Sequence, residues 1–213
     1  MNLIPAKTPL LIKQMFSNFV WDMETSSRDL YLTFDDGPNP EVTPWVLDLL
    51  ADYNAKASFF CIGNNIAKHP DTFQQVISQG HAVGNHTYNH LNGWKHKAKN
   101  YLNDIQQTEN ILEANKAFNQ NKLFRPPYGK ITTAQAKQLD GLNYKIIMWD
   151  VLSFDWDVTI SLNTSFKNIT KYCKPGSIVV FHDSLKAEKK LKKLLPQTLE
   201  HFSNEGYDFK ALL

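Results

Sequence analysis

The sequence predicts an α/β protein built on a parallel sheet, and three features carry that reading. Short β-branched or aromatic runs alternate with longer segments of helical period, a βαβα beat. Strand runs such as Ile178-Val179-Val180-Phe181 are apolar throughout, as suits a sheet covered on both faces. Polar residues gather just after the runs: Asp35-Asp36, His86, Arg125, Asp150 to Asp157, and His182-Asp183. In parallel folds the carboxyl ends of the strands point to one side, so five such clusters converge on one place. A barrel and a doubly wound sheet both fit this beat.

With 213 residues the chain suits one domain of ordinary size. Residues 1–28 form an N-terminal arm, expected to pack Leu10, Leu11, Phe16 and Trp21 against the domain of residues 29–213. Strands are predicted at Leu30–Phe34, Ala57–Cys61, Ala82–Asn85, Leu123–Arg125, Lys145–Trp149, Ser177–Phe181 and Asp208–Ala211. Helices are predicted at about Pro44–Tyr53, Asp71–Ser78, Lys97–Ala117, Thr133–Leu139, Ser165–Tyr172 and Ala187–Phe202. The basic run Lys186 to Lys193 reads as the solvated face of the last helix, because Leu185, Leu191, Leu194 and Leu195 keep helical spacing.

A net charge of +2 argues against nucleic acid or an anionic membrane surface as partner. No stretch approaches the ~18 apolar residues of a membrane span. Met1 to Phe16 has no long apolar core and no small-residue cleavage site, so no signal peptide is read there. The expected location is cytoplasmic by default, with the cell envelope as the alternative, and a monomer is expected. Cys61, inside an apolar run, reads as a small buried hydrophobe, and neither it nor Cys173 has metal-ligand spacing.

The chemistry-bearing residues fall at the predicted strand ends. Asp35 and Asp36 repel one another unless a cation or proton relieves them, and as neighbours they point in different directions. His86 and His90, four apart, can share one face of a helical turn and grip one ion. The stretch between them lacks the glutamate of a zincin protease. Asp36, His86 and His90 together make the three-ligand set of a catalytic metal with an open position. Arg125-Pro126-Pro127-Tyr128-Gly129 is a rigid loop whose guanidinium can pair with a carboxylate and whose backbone can aim an N–H at an oxyanion. His182 at the tip of a buried strand can be kept protonated by a neighbouring carboxylate and act as an acid. Trp156 and Phe154 can form an apolar wall.

These stretches, TFDDGP, HTYNH, RPPYG, the DW of SFDW, and VFH, resemble in order the five motifs of the polysaccharide deacetylases, also called carbohydrate esterase family four or the NodB-homology family. They span Thr33 to His182. The resemblance implies a distorted (β/α) barrel of about seven parallel strands in a single domain. It implies a metal, commonly Zn2+ with Co2+ or Ni2+ also accepted, held by Asp36, His86 and His90. Asp35 is then the base toward the attacking water, Arg125 its positioning partner, and the Tyr128 N–H an oxyanion donor. His182, tuned by Asp155, is the acid toward the leaving amine, with Trp156, Val180 and Pro126 lining the substrate. The implied activity removes acetyl groups from N-acetylglucosamine-type sugars, such as peptidoglycan or chitin-like oligomers. An O-acetyl esterase on acetylated xylan and a catalytically silent sugar-binding module are the alternatives. Two positions depart from the family pattern, Leu152 for a frequent Asp and Val180 for the usual Leu. Val180 enlarges the acetyl pocket by roughly one methylene, about 1 kcal/mol in fit.

Overall fold

The protein is described by a computed structural model over residues 5–117 and 122–212. A short helix of the arm, α1 (Leu10–Met15), precedes β1 (Asp29–Asp35), α2 (Thr43–Asp52) and β2 (Ser58–Cys61). Two short helices follow, α3 (Gly63–Lys68) and α4 (Pro70–Ser78), then β3 (Ala82–Asn85) and the long α5 (Ala98–Ala114). The chain continues through β4 (Lys122–Phe124), α6 (Thr133–Gly141), β5 (Tyr144–Ile146) and β6 (Val151–Leu152). It closes with α7 (Leu162–Tyr172), β7 (Ile178–His182), α8 (Leu185–Asn204) and β8 (Asp208–Phe209).

Seven strands form one curled half-barrel in the order β5-β4-β3-β2-β1-β7-β6, and every neighbouring pair is parallel. The two-residue β8 adds a parallel pairing at the start of β1. Strand alternation divides the side chains between two cores. Leu30, Leu32 and Phe34 of β1 pack with Val179 and Phe181 of β7 and the helices outside the sheet. Tyr31, Phe60, Leu123 and Ile178 fill the other, inner side. Thr33 and Asp35 alternate in step with Tyr31, so β1 sends a polar column up the inside of the barrel to its carboxyl end.

The half-barrel ends on β5 and β6, two edges that would expose unpaired backbone. The arm covers both. Val20 pairs in parallel with Ile147 just past β5, and Lys7 pairs antiparallel with Val151 of β6. The bonds are direct: Val20 N–H to Ile146 O at 2.9 Å, Met148 N–H to Val20 O at 2.7 Å, and Leu152 N–H to Ala6 O at 2.8 Å. The arm is therefore held by backbone pairing and by charge, which corrects the expected apolar packing. Leu10 and Leu11 are 68% and 66% exposed and Phe16 is 41% exposed, while Trp21 alone of the four is buried.

The segment predicted as one strand, Lys145–Trp149, is strand only at its start, in β5, and the chain pairs again past its end as β6, where no strand was predicted. The cause is Asp150, fully buried and bound by Lys7, Lys13 and the Ser177 hydroxyl. These ties hold Asp150 level with Ile178, the first residue of β7, because Val151 pairs with Val179. Four residues of strand, roughly 13 Å, separate that level from the carboxyl end at His182. Asp150 thus belongs to the arm's anchor and not to the polar ring in which the sequence placed it. No described helix is long and apolar enough to cross a membrane. Both cysteines are free thiols.

Candidate active site

The carboxyl ends of β1, β3, β4 and β7, with the loop after β6, bring together every residue expected to do chemistry. Backbone conformation marks the place. Among the described residues, eight non-glycine residues have positive φ, and Asn54, Lys116 and Asn143 of these sit just past helix ends, where such residues are common. The other five, Asp36, Thr87, His90, Tyr128 and Phe154, lie in the loops of the site. Left-handed geometry at non-glycine residues costs of order 1 kcal/mol or more each, and surrounding bonds must hold it.

Asp36 is turned by its φ of 77° away from the direction of Asp35. Asn65 Nδ2 donates to its carbonyl at 2.8 Å. Across from it, His90 Nε2 lies 3.2 Å and His86 Nε2 3.7 Å from Asp36 Oδ1. One ligand atom from each of the three falls within 4.8 Å of the others. The two histidines do not share a helical turn, as the sequence suggested. The 86–90 loop is irregular, with φ of 62° at Thr87 and 54° at His90, because α5 pins it. Asp104 of α5 accepts the N–H groups of Tyr88 and Asn89 at 2.7 and 2.9 Å and the Asn89 side-chain amide at 2.6 Å. Asn85 accepts the Thr87 N–H at 2.9 Å. Nothing in the spacing of Asp104, mid-helix and far along the chain, announced this role.

The donor set suits a divalent ion. His86 Nδ1 meets the Arg125 carbonyl at 2.7 Å, so Nδ1 carries the proton and Nε2 keeps its lone pair toward Asp36. Burial is the main force on His86 and outweighs the nearby carboxylates, holding its pKa at about 4 and the ring neutral, as a ligand must be. On Asp36 burial acts upward, but the His90 hydrogen bond and the charges of His182, His86 and His90 hold the carboxyl well below its ordinary range.

Asp35 is fixed by Arg125, which has no exposed surface. Arg125 Nη1 donates to Asp35 Oδ1 and to Thr33 Oγ1, both at 2.7 Å. Nη2 donates to Met148 O at 2.8 Å and Nε to Ile147 O at 3.2 Å, while the guanidinium lies 4.1 Å from the centre of the Phe60 ring. Thr33, the inward residue one pleat below Asp35, completes the clamp. Thr33 opens the TFDDGP run, and nothing in its residue type or spacing marked it for this role.

Asp35 and His182 are register partners on the adjacent strands β1 and β7. His182 Nδ1 lies 2.9 Å from Asp155 Oδ1, and its backbone N–H donates to Asp155 Oδ2 at 2.7 Å. Burial lowers the imidazole pKa, but the charge and hydrogen bond of Asp155, then Asp36 and Asp35, outweigh it and raise it to about 9. Trp156 stands edge-on to His182, ring centres 4.6 Å apart.

Leu152 and Val180, the two departures from the family pattern, are register partners between β6 and β7. They pack together with Phe154, and Trp156 leans on the cluster. Val180 and Pro126 are both buried. In the rigid loop Tyr128 has φ of 60°, its ring is largely exposed and its centre lies 4.6 Å from that of His90. Asp183, whose N–H donates to Asp35 O at 3.2 Å, packs its carboxyl against the α-carbon of Gly37 and accepts from Thr43. A side chain at position 37 would collide with it. Burial foremost, with Asp36 and Asp35, raises Asp183 to about 7 against the pull of its hydrogen bonds.

Comparison with known proteins places this architecture. A family model described as polysaccharide deacetylase matches residues 22–147. A peptidoglycan-N-acetylglucosamine deacetylase of Bacillus cereus is 38% identical over 75% of this chain, and the match spans 57% of that protein's length. A second from the same organism is 34% identical, covering 89% of this chain and 88% of the relative. The crystal structure of a peptidoglycan N-acetylglucosamine deacetylase in complex with 4-naphthalen-1-yl-N-oxidanyl-benzamide superposes with a TM-score of 0.81. It is 33% identical and covers 96% of this chain and 95% of that one.

Proposed function

The chain belongs to the polysaccharide deacetylase family, and from that premise we propose that it is a metal-dependent hydrolase removing acetyl groups from an N-acetylglucosamine-type sugar, in peptidoglycan or a chitin-like oligomer. The observation that carries this is the pairing at the ends of β1 and β7. A carboxylate held by a buried arginine stands beside an imidazole held by a buried aspartate, and both adjoin an Asp/His/His donor set. Residues 29–213 act as the catalytic domain and 1–28 as its arm.

Asp36, His86 and His90 would hold the ion, and two imidazoles with one carboxylate suit Zn2+, or Co2+ and Ni2+. When bound, it supplies Lewis acidity to the attacking water and to the acetamide carbonyl. Asp35 takes the proton as the water oxygen bonds to the carbonyl carbon, and Arg125 keeps its carboxylate aimed. The Tyr128 backbone N–H would serve as the oxyanion donor, while the turn's own bonds use the N–H groups of Gly129 and Lys130. His182 gives its proton to the nitrogen as the C–N bond breaks, leaving acetate and a free amine. Trp156 walls the substrate, and Val180 and Pro126 back the wall.

The test is acetate release by Zn2+-loaded protein from chitin oligomers, peptidoglycan fragments and acetylated xylan, beside an Asp35→Asn variant. Release from the N-acetylated substrates, lost in the variant while Zn2+ binding persists, is the expected result. Release from xylan alone makes the protein an O-acetyl esterase. Silence on all three with Zn2+ bound overturns the deacetylase reading, and full turnover by Asp35→Asn overturns the base.

A further inference from the structure

The basic run at the start of α8 is not uniformly solvated. Lys186, Lys189, Lys192 and Lys193 are exposed, but Lys190 turns inward and is only partly exposed. Its ammonium donates to the carbonyls of Phe154 at 2.9 Å, Ile160 at 2.7 Å and Asp157. An ammonium has three donors, and here three carbonyls take them all. The three acceptors bracket Asp155 and Trp156: one precedes the pair, one follows it, and one ends the loop. Phe154 has φ of 55°, a strained conformation that its own carbonyl's bond to Lys190 helps hold.

We infer that Lys190 is a positioning residue for the proton donor: it clamps the 154–160 loop so that Asp155 stays on both the Nδ1 and the backbone N–H of His182, and Trp156 stays against the ring. The part concerning turnover rests on the deacetylase reading; the clamp itself does not. The two ways Lys190 can act on His182 have opposite signs. As a mere positive charge near Asp155, it opposes protonation of His182, and its removal raises the imidazole pKa. As a clamp it holds the carboxylate in contact, and its removal lowers that pKa. The charged groups acting on His182 are Asp155 after β6 and Asp36 and Asp35 at the end of β1, while Lys190 on α8 faces Asp155 and Asp157.

Lys190→Met keeps most of the side chain's length and removes the donors at a partly exposed position. The His182 titration, followed by NMR in Zn2+-loaded wild type and Lys190→Met, is expected to move down in the variant. No movement, or upward movement, overturns the clamp. In acetate release, Lys190→Met should lower kcat at least tenfold with little change in KM. Combined with His182→Ala it should add almost nothing, because it acts through that residue. Wild-type kcat in Lys190→Met, or a full additional loss in the double variant, overturns the positioning role. If the wild type releases no acetate, the deacetylase reading falls, and the NMR titration alone decides the clamp.

Discussion

Replacing Asp155 by Asn tests the proton donor most directly. Asparagine keeps an oxygen for the Nδ1 proton but removes the charge that faces the imidazole at 2.9 Å. His182 then retains burial, the force that lowers its pKa, without the foremost force that raises it. The rise from 6.5 to about 9 corresponds to ~3 kcal/mol of preference for the charged ring, at about 1.4 kcal/mol per pH unit. At pH 7 the wild-type ring is ~99% protonated, and a ring returned to 6.5 or below is protonated about a quarter of the time or less. The alkaline limb of acetate release should therefore move down by about two pH units or more, with part of the lost activity recovered near pH 5.5. Stability follows the same linkage. A group whose pKa is raised on folding stabilises fully below its unfolded value, here 6.5, and loses that contribution as pH rises through about 9. Asp155→Asn should thus cost up to ~3 kcal/mol at pH 6 and little at pH 10. Acetate release from pH 5 to 10 and thermal melts at both extremes read the two effects. An unmoved alkaline limb, or an equal loss of Tm at pH 6 and pH 10, would refute the assignment.

Arg125→Met should destabilise by ~3–5 kcal/mol in urea unfolding, because it strands the Asp35 carboxylate in a buried site. Arg125→Lys should not restore stability, since a point charge cannot serve Thr33, Asp35, Ile147 and Met148 together; a loss below about 1 kcal/mol in either variant would contradict the clamp. Asp150→Asn should loosen the arm at neutral pH, read as new tryptic cleavage at Lys7 and Lys13. In the wild type burial pushes Asp150 up but Lys13, Lys7 and Ser177 hold it below 3.8, so its contribution is present above that value and lost as pH falls further. Equal cleavage of both proteins would sever the arm from that anchor.

The strands most readily read in the sequence were those whose residues face two apolar cores: β1, β2, β3 and β7 match their predicted runs to within a residue or so. The two-residue β6 was not readable, because its neighbours carry it and its own pattern does not. The short α3, Gly-Asn-Asn at its start, has poor helical propensity and no local signal either.

What the sequence determined by itself about this protein is the βαβα beat and the identity of the polar residues at the strand ends, since apolar period and residue chemistry are local properties. Tertiary structure decided which of them meet. It set Asp35 beside His182 through strand register, and it bent the 86–90 loop out of the expected helical turn through Asp104 of α5. It removed Asp150 from the ring by tying it to the arm, and it drew one lysine out of a basic run to hold the loop behind the acid. Each of these rests on contacts between segments distant in the chain, and a register or a long-range hydrogen bond leaves no period in the residues that make it.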